Sequence, residues 1–375
     1  MGKAHQDLFI MRVDGSNALK IATPIAEEGK ILQMKKTNAP MKATATILSC
    51  LALVLVLALS GAAAAAPEVT LRFAGQSVEE HIATGFMREV ADEVARHTGG
   101  RIEIKVYPDN QLADYALVHQ ELMKGTIDMA LISTPGDIDP RLSFVYINGY
   151  CTDYDQLQET FKPGGWAFHK MDELNTELGV KFLGFGVIGF IGVASTKPLI
   201  EPLDPGVDKG VVCRVPNMPP FLEAARTLGY RPVNIPYSGL YTAMTAGDAE
   251  AITGLPVSDA YANLREAAKH WYQFNLSVEV ESYLVSMKTW EKLSPEDRKL
   301  IGDVVATVSA KSFYAAKWGD ERYQEMMRER GAEVHIYSDA ELEPLRKAAR
   351  ETWPKLANSM TEAFMEEFTR EYAPK

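Results

Sequence analysis

The spacing of apolar residues in the first part of the chain alternates between helical and strand periods. Residues 82–94 carry an apolar side chain at every fourth position, which is one helical stripe, and Gly99 and Gly100 then end the helix. Residues 102–106 alternate apolar and polar side chains, as a strand does. A second helix over 113–124 and a strand over 129–132 follow. This alternation predicts an α/β fold with a largely parallel sheet.

The middle of the chain repeats the same alternation of strand and helix. No tandem repeat or low-complexity linker separates the elements, so we expect interwoven lobes and not a string of independent domains. The predicted elements are strands over 183–194 and 211–215 and near 233 and 251, and helices that end near 228 and span 238–246.

Serines with capping-box spacing mark three predicted helix starts. In such a box the serine oxygen and a following acidic side chain satisfy backbone amides that the first helical turn leaves free. The three sites are residues 77–80, residues 294–297 at the start of a long helix to about 330, and residues 338–341, which begin terminal helices interrupted at Pro354.

The N-terminal region has the features of an export signal. A basic stretch over 35–42 precedes an apolar run over 47–59, and residues 60–66 supply the small side chains that a signal peptidase requires. We predict cleavage near Ala65, a periplasmic product, and a true start at Met34 or Met41. The alternative is an uncleaved anchor, since the run counted through the alanines approaches ~20 residues.

Removal of residues 1–65 leaves a chain long enough for two lobes with substantial cores. The net charge falls from −11 to −14, because the leader carries seven basic and four acidic residues. Such an acidic chain argues against nucleic acid and anionic membranes as partners. It retains Cys151 and Cys213, which an oxidising periplasm would allow to pair, but we predict buried free thiols.

Motifs for cofactors and catalysis are weak in this sequence. Residues 184–189 match the dinucleotide fingerprint, but strand-like sequence and Pro198 follow where a helix would have to begin. We predict that these glycines instead allow close approach at a crossing between lobes. The histidines lack paired ligand spacing, and no base can be assigned to Ser238. We therefore predict no cofactor, no metal site and no enzyme activity.

Arg214 lies on a strand of valines that ends at Pro216. A guanidinium on a buried strand is costly unless a partner neutralises it. Taken alone, this segment favours an internal ion pair or an exposed strand end.

The motifs around Arg214 change this interpretation, because their order resembles the extracytoplasmic solute receptors of tripartite ATP-independent periplasmic (TRAP) transporters. The resemblance extends from about residue 68 to near the C-terminus, and as a set its motifs are specific. The segments that carry it are 70–74, 100–108, 124–130, 209–216, 228–244, 250–256 and 290–297.

The resemblance implies a two-lobed periplasmic-binding-protein-like α/β fold with a cleft between the lobes. A long helix and strands are expected to cross both lobes. We place residues 66–190 and about 280–319 in lobe 1, and residues 191–279 and about 320–375 in lobe 2.

In the resembled family, the arginine at the position of Arg214 binds the carboxylate of the ligand. This chain departs from many dicarboxylate and sugar-acid receptors at two polar anchors: Ile191 lies near the place of a second arginine, and Leu255 at the place of an asparagine. We therefore predict a monocarboxylate with an apolar or aromatic body. The predicted contacts are Arg214, the walls Phe190, Ile191, Leu255 and Tyr237, and the polar residues Gln76 and Asn217.

The resemblance also implies the partners: a small organic acid and the integral-membrane subunits of a TRAP permease, with the receptor itself monomeric. Two alternatives remain open at this point, namely a receptor for a different importer or sensor, and an exported hydrolase. The sequence also leaves open whether a cation accompanies the ligand.

Overall fold

The structure, a computed structural model, describes residues 66–374. The predicted leader, its cleavage site near Ala65 and the two alternative starts lie outside these residues. Within the described range, no helix has the length and apolar character needed to span a membrane.

The predicted strands lie close to strands of the structure, which also has β8 and β9, two strands that the sequence did not identify. The strands are β1 Val69–Gly75, β2 Ile102–Tyr107, β3 Met129–Ile132, β4 Val180–Ser195, β5 Val212–Val215, β6 Arg231–Asn234, β7 Ala251–Pro256, β8 His270–Gln273, β9 Val278–Ser286 and β10 Glu333–Ile336.

The helices include several that sequence analysis did not identify, among them α3, α4 and α7. The helices are α1 Ile82–Thr98, α2 Tyr115–Lys124, α3 Tyr154–Phe161, α4 Trp166–Glu177, α5 Pro219–Thr227, α6 Leu240–Ala246, α7 Val257–Leu264, α8 Met287–Trp290, α9 Pro295–Glu329, α10 Asp339–Arg350, α11 Trp353–Met360 and α12 Glu362–Tyr372, with 3-10 turns at Pro140–Tyr146 and Tyr237–Gly239.

The sheet is mixed, whereas the sequence predicted largely parallel pairings. The strand order is β2-β1-β3-β9-β4-β7-β5-β6, with β8 also paired to β4 and β10 to β8. The pairings of β1 with β2 and β3, and of β5 with β6 and β7, are parallel as predicted. The two longest strands, β4 and β9, pair antiparallel to each other. Strand–helix alternation could not reveal this pairing, because residues far apart in the chain form it.

β4 is the strand that connects the two halves of the sheet. It pairs with β9 as far as Phe190, and from Ile191 onward it pairs with β7 and β8. α9 packs along the same path. Its first half contributes Val305 to the core that contains α1, and its end contributes Met327 to the core that contains α7. The expected crossing strand and long helix are therefore present; the predicted lobe boundaries stay a prediction.

Of the glycines over 184–189, Gly189 lies where another segment approaches closely, as the sequence predicted, and Gly192 on the same strand does so as well. A Cβ atom at Gly189 would overlap the carboxylate of Asp320, and one at Gly192 would overlap the ring of Trp271 and the carbonyl of Tyr272.

Two of the three predicted capping sites form as expected. Ser294 caps α9, and Ser338 forms a complete capping box with Glu341. The site at residues 77–80 was wrongly predicted. The helix begins only at Ile82, with His81 as its N-cap, and the Ser77 hydroxyl donates to buried Glu281 at 3.4 Å. A tertiary contact thus replaces the local one.

Cys151 and Cys213 are both buried free thiols, as predicted. Burial raises the pKa of the Cys213 thiol to about 12, which disfavours the thiolate needed for disulfide exchange.

Asp320 is a buried carboxyl at the point where α9 crosses β4. Its Oδ2 accepts from the Tyr154 hydroxyl at 2.6 Å and from the backbone amide of Phe190 at 3.0 Å, while Oδ1 has no hydrogen-bond partner among the described residues. Burial raises the pKa of this carboxyl to about 7, a shift that the Tyr154 hydrogen bond opposes and the charge of Glu321 increases.

We therefore expect Asp320 to make the protein less stable as the pH rises from about 4 to about 7. A raised pKa means that the folded state keeps the proton longer than the unfolded state, so folding becomes less favourable as the carboxyl ionises. At about 1.4 kcal/mol per pKa unit, the full effect is on the order of a few kcal/mol. Asp320→Asn, which mimics the uncharged form, should lose less stability across this range in urea unfolding. Parallel curves for the variant and the parent would contradict this assignment.

Candidate functional site

Arg214 lies on β5, which pairs with β6 and β7, and only 2% of its surface is exposed. Its Nε donates to the carbonyl of Ile235 at 2.8 Å, and Nη1 donates to the carbonyl of Thr253 at 3.3 Å. Among the described residues, no carboxylate forms an ion pair with it. Burial lowers the pKa of the guanidinium, which reflects the cost of a charge held away from water. The internal ion pair that the segment alone favoured does not form.

Arg214 lines a small cavity, here called the arginine cavity. Its polar wall consists of Tyr115, Ser133, Tyr146, Arg214, Tyr237 and Glu279, and its apolar wall of Pro216, Met218, Phe221 and Gly254. The volume is about 20 Å³, which is space for roughly one water molecule. An organic ligand can therefore enter only when the walls move apart.

Gly254 brings the backbone of β7 close to the arginine. Its φ of +82° lies in the left-handed region that favours glycine. A Cβ atom there would overlap the ring of Pro216 and come within 3.7 Å of Arg214 Nη1. The glycine therefore leaves room for the guanidinium beside the strand.

Glu279 faces the same cavity from β9 and was not identified in the sequence. It is 5% exposed, and its Oε1 accepts from the Ser133 hydroxyl at 2.6 Å and from the Tyr146 hydroxyl at 3.2 Å. Burial raises the pKa of its carboxyl to about 8, against the opposing effect of the Ser133 hydrogen bond.

Two further buried acids surround Glu279. Glu281, two residues along β9 and 2% exposed, has an Oε2 without a hydrogen-bond partner in the described part of the chain. Burial, with the charges of Glu279 and Asp259, raises the pKa of Glu281 well above its ordinary value. Asp259 accepts from the Tyr237 hydroxyl, and its Oδ2 lies 3.7 Å from His81 Nε2.

The other predicted contacts occupy different positions. Gln76 is buried and bonds Ser133 twice, donating to its hydroxyl at 2.8 Å and accepting from its amide at 2.9 Å. Gln76 thus orients a serine that holds Glu279. Asn217 is exposed.

Of the predicted apolar walls, Phe190, Ile191 and Leu255 are buried, whereas half-buried Tyr237 is the one that lines the arginine cavity. Phe190 packs edge-on against Tyr154, and Leu255 belongs to the core around α7. Ile191 lines a neighbouring cavity of about 40 Å³, and Phe221 forms part of the wall of both cavities. The roles of these residues in ligand binding stay predictions.

A separate group of side chains lies where β8 and β10 pair. His270, Glu333 and His335 each place one ligand-type atom within 4.8 Å of the others, an arrangement that could hold a metal ion. Burial lowers the pKa of His335, which favours the neutral imidazole that binds metals. The sequence did not indicate this group, because only the pairing of β8 with β10 brings residue 270 beside residues 333 and 335.

A mixed α/β fold whose connecting strand and long helix join two lobes is the arrangement expected of a solute-binding protein, and so is a buried arginine that faces a cavity without an acidic partner among the described residues. Residues 73–359 match the DctP family, the bacterial extracellular solute-binding proteins of family 7. The chain belongs to this family, the solute receptors of TRAP transporters, which are periplasmic binding proteins for small organic acids and not enzymes.

Known proteins similar to this chain agree with that assignment. The sialic acid-binding periplasmic protein SiaP of Vibrio cholerae is 25% identical over 295 residues, which is 78% of this chain and 90% of SiaP. A TRAP solute-binding protein of Haemophilus influenzae, solved with L-gulonate, has a TM-score of 0.73 at 19% identity and covers 81% of this chain and 99% of its own. Another TRAP solute-binding protein, from Sulfurospirillum deleyianum and solved with succinate, has a TM-score of 0.72 at 17% identity. The match covers 81% of this chain and 99% of that protein. The structural similarities show the two-lobed fold.

Proposed function

We propose that this receptor captures an organic monocarboxylate through Arg214 and delivers it to the membrane subunits of a TRAP permease. The observation that carries the proposal is a guanidinium that is 2% exposed, lines a cavity and lacks a carboxylate partner among the described residues. A ligand carboxylate would supply the missing charge and accept hydrogen bonds in a geometry that matches the planar guanidinium. Desolvation on closure would strengthen that pair.

The charges around the cavity support one carboxylate and not two. Arg214 is the only positively charged side chain among the described residues that line it, and Glu279 occupies another part of the wall. Inside the arginine cavity, a second ligand carboxylate would thus lie near an acid without a cation to balance it. Met218 and Phe221 offer apolar contact for the rest of the ligand, and movement of Phe221 would give access to the cavity beside Ile191.

The remaining predicted contacts belong to the same proposal. Phe190, Leu255 and Asn217 would have to act in an open form or through their neighbours, since they do not line the arginine cavity. We also propose that the mature receptor begins near Ala65, is released into the periplasm, and works as a monomer.

A thermal-shift screen of carboxylates tests the proposed ligand class. A ligand at a hundredfold its Kd should stabilise the receptor by ~2.7 kcal/mol. For a protein of this size, that is a shift in Tm of roughly several degrees. We expect monocarboxylates with apolar bodies to give the largest shifts. Larger shifts with succinate and malate than with every monocarboxylate would show that the proposed class is wrong.

A further inference from the structure

The arginine cavity presents a negative group as well as a positive one. Arg214 and Glu279 both line it, yet they form no ion pair with each other. The hydrogen bonds of Glu279 all go to Oε1, from Ser133 and Tyr146, so Oε2 has no partner among the described residues. The cavity thus offers one guanidinium and one carboxyl oxygen to the same small molecule.

The charge balance around these two groups favours a ligand that also carries a positive charge. Glu279 lines the cavity with the buried acids Glu281 and Asp259 close to it, whereas Arg214 is the only positively charged side chain among the described residues that line the cavity. A ligand with only a carboxylate would pair with Arg214 and leave Glu279 and Glu281 protonated, because burial raises the pKa of both carboxyls. An ammonium group would instead stabilise the ionised form of the nearest acid.

We propose that the ligand is a zwitterion of the amino acid type, with its carboxylate on Arg214 and its protonated amine on Glu279 Oε2. The proposal rests on the proposed function, because it assigns the second polar group of the same ligand. Ser133 and Tyr146 hold the Glu279 carboxyl in place from the other oxygen, and Gln76 in turn holds Ser133. The acid is therefore oriented before the ligand arrives.

Matched pairs of ligands test this assignment. The probes are L-proline against cyclopentanecarboxylate, and L-leucine against 4-methylpentanoate and 2-hydroxy-4-methylpentanoate, with Kd measured by calorimetry. We expect the amino acid to bind at least tenfold more tightly than its partner without nitrogen. Glu279→Gln should abolish this preference. Gln can still accept from Ser133 and Tyr146 and resembles the protonated carboxyl.

Exposed Glu291→Gln makes the same change of charge away from the cavity and should leave the preference intact. If nitrogen-free acids bind as tightly as the amino acids, the proposal of a zwitterionic ligand is wrong, but the proposed function is unaffected. Binding that survives in Arg214→Met, or a panel in which nothing binds, would overturn both.

Proton release gives a second readout that does not depend on affinity. With a pKa of about 8, the Glu279 carboxyl holds a proton at pH 7, and an ammonium beside it should displace that proton. Calorimetry in phosphate and Tris buffers at pH 7 should show proton release with the amino acid and none with its nitrogen-free partner. Equal release by both would contradict the proposal. The groups that face or influence Glu279 are Ser133, Tyr146, Tyr115, Arg214, Asp259 and Glu281.

Discussion

Arg214→Met is expected to weaken carboxylate binding at least a hundredfold while the protein still folds. Removing one partner of a desolvated, hydrogen-bonded charge pair costs about 2–5 kcal/mol in binding. The stability of the ligand-free protein should fall by much less than the affinity. The variant no longer buries a charge, which offsets the loss of two hydrogen bonds to the carbonyls of Ile235 and Thr253. We expect the Tm of the ligand-free variant to lie within a few degrees of the parent.

Two further variants distinguish the effect of the Arg214 charge from the effect of its planar guanidinium. Arg231→Met makes the same change of charge on the neighbouring strand β6, where the side chain is exposed, and should bind like the parent. Arg214→Lys keeps the charge but loses the planar fork, so its affinity should be intermediate. Calorimetry with the tightest ligand from the screen measures all three. Retention of parental affinity in Arg214→Met would refute the proposed role of the arginine.

Gly192→Ala is expected to have the largest effect on stability among the changes considered. Its new methyl group would overlap the Trp271 ring and the carbonyl oxygen of Tyr272 on β8, at the point where β4 enters the second half of the sheet. A backbone oxygen in a paired strand cannot move aside without loss of its hydrogen bonds. Overpacking of this kind costs about 1–3 kcal/mol, and a rigid backbone neighbour favours the upper end.

Urea unfolding with an unchanged m-value measures this cost. Gly302→Ala is the matched control, because a Cβ atom there meets nothing within 4 Å and residue 302 lies inside helix α9. It should raise stability by up to ~1 kcal/mol, since alanine is the better helix former. A Gly192→Ala variant as stable as the parent would show that β4 and β8 can separate at this position.

The order and type of many elements could be predicted, because each depends on residues close together in the chain. The apolar stripe of α1, the glycine that ends it and the serine caps of α9 and α10 are examples. The failure at Ser77 has a clear reason. The local pattern specified a capping box, but the hydroxyl is used by Glu281, about 200 residues away in the chain.

β9 shows why the candidate site was only partly predictable. Its sequence, Val-Glu-Val-Glu-Ser-Tyr-Leu-Val-Ser, alternates in a way typical of a strand with one face in solvent. β3 and β4 pair with both edges of β9, yet the structure buries all nine of its residues, because other segments also cover its faces. Ser133 and Tyr146 cover Glu279, and Ser77 contacts Glu281, so glutamates that would be solvated on an open face become buried acids. The two glutamates are visible in the sequence, but only burial in the fold makes them candidates for the site.

The sequence by itself determined the family and the α/β alternation and singled out Arg214 as a candidate, because short motifs and side-chain periods record local chemistry directly. Only the tertiary structure decided that no acid among the described residues pairs with the arginine, that Glu279 faces the same cavity, and that Leu255 belongs to a separate core. Charge balance and burial arise from segments that are distant in the chain. No local pattern specifies them until the fold brings those segments together.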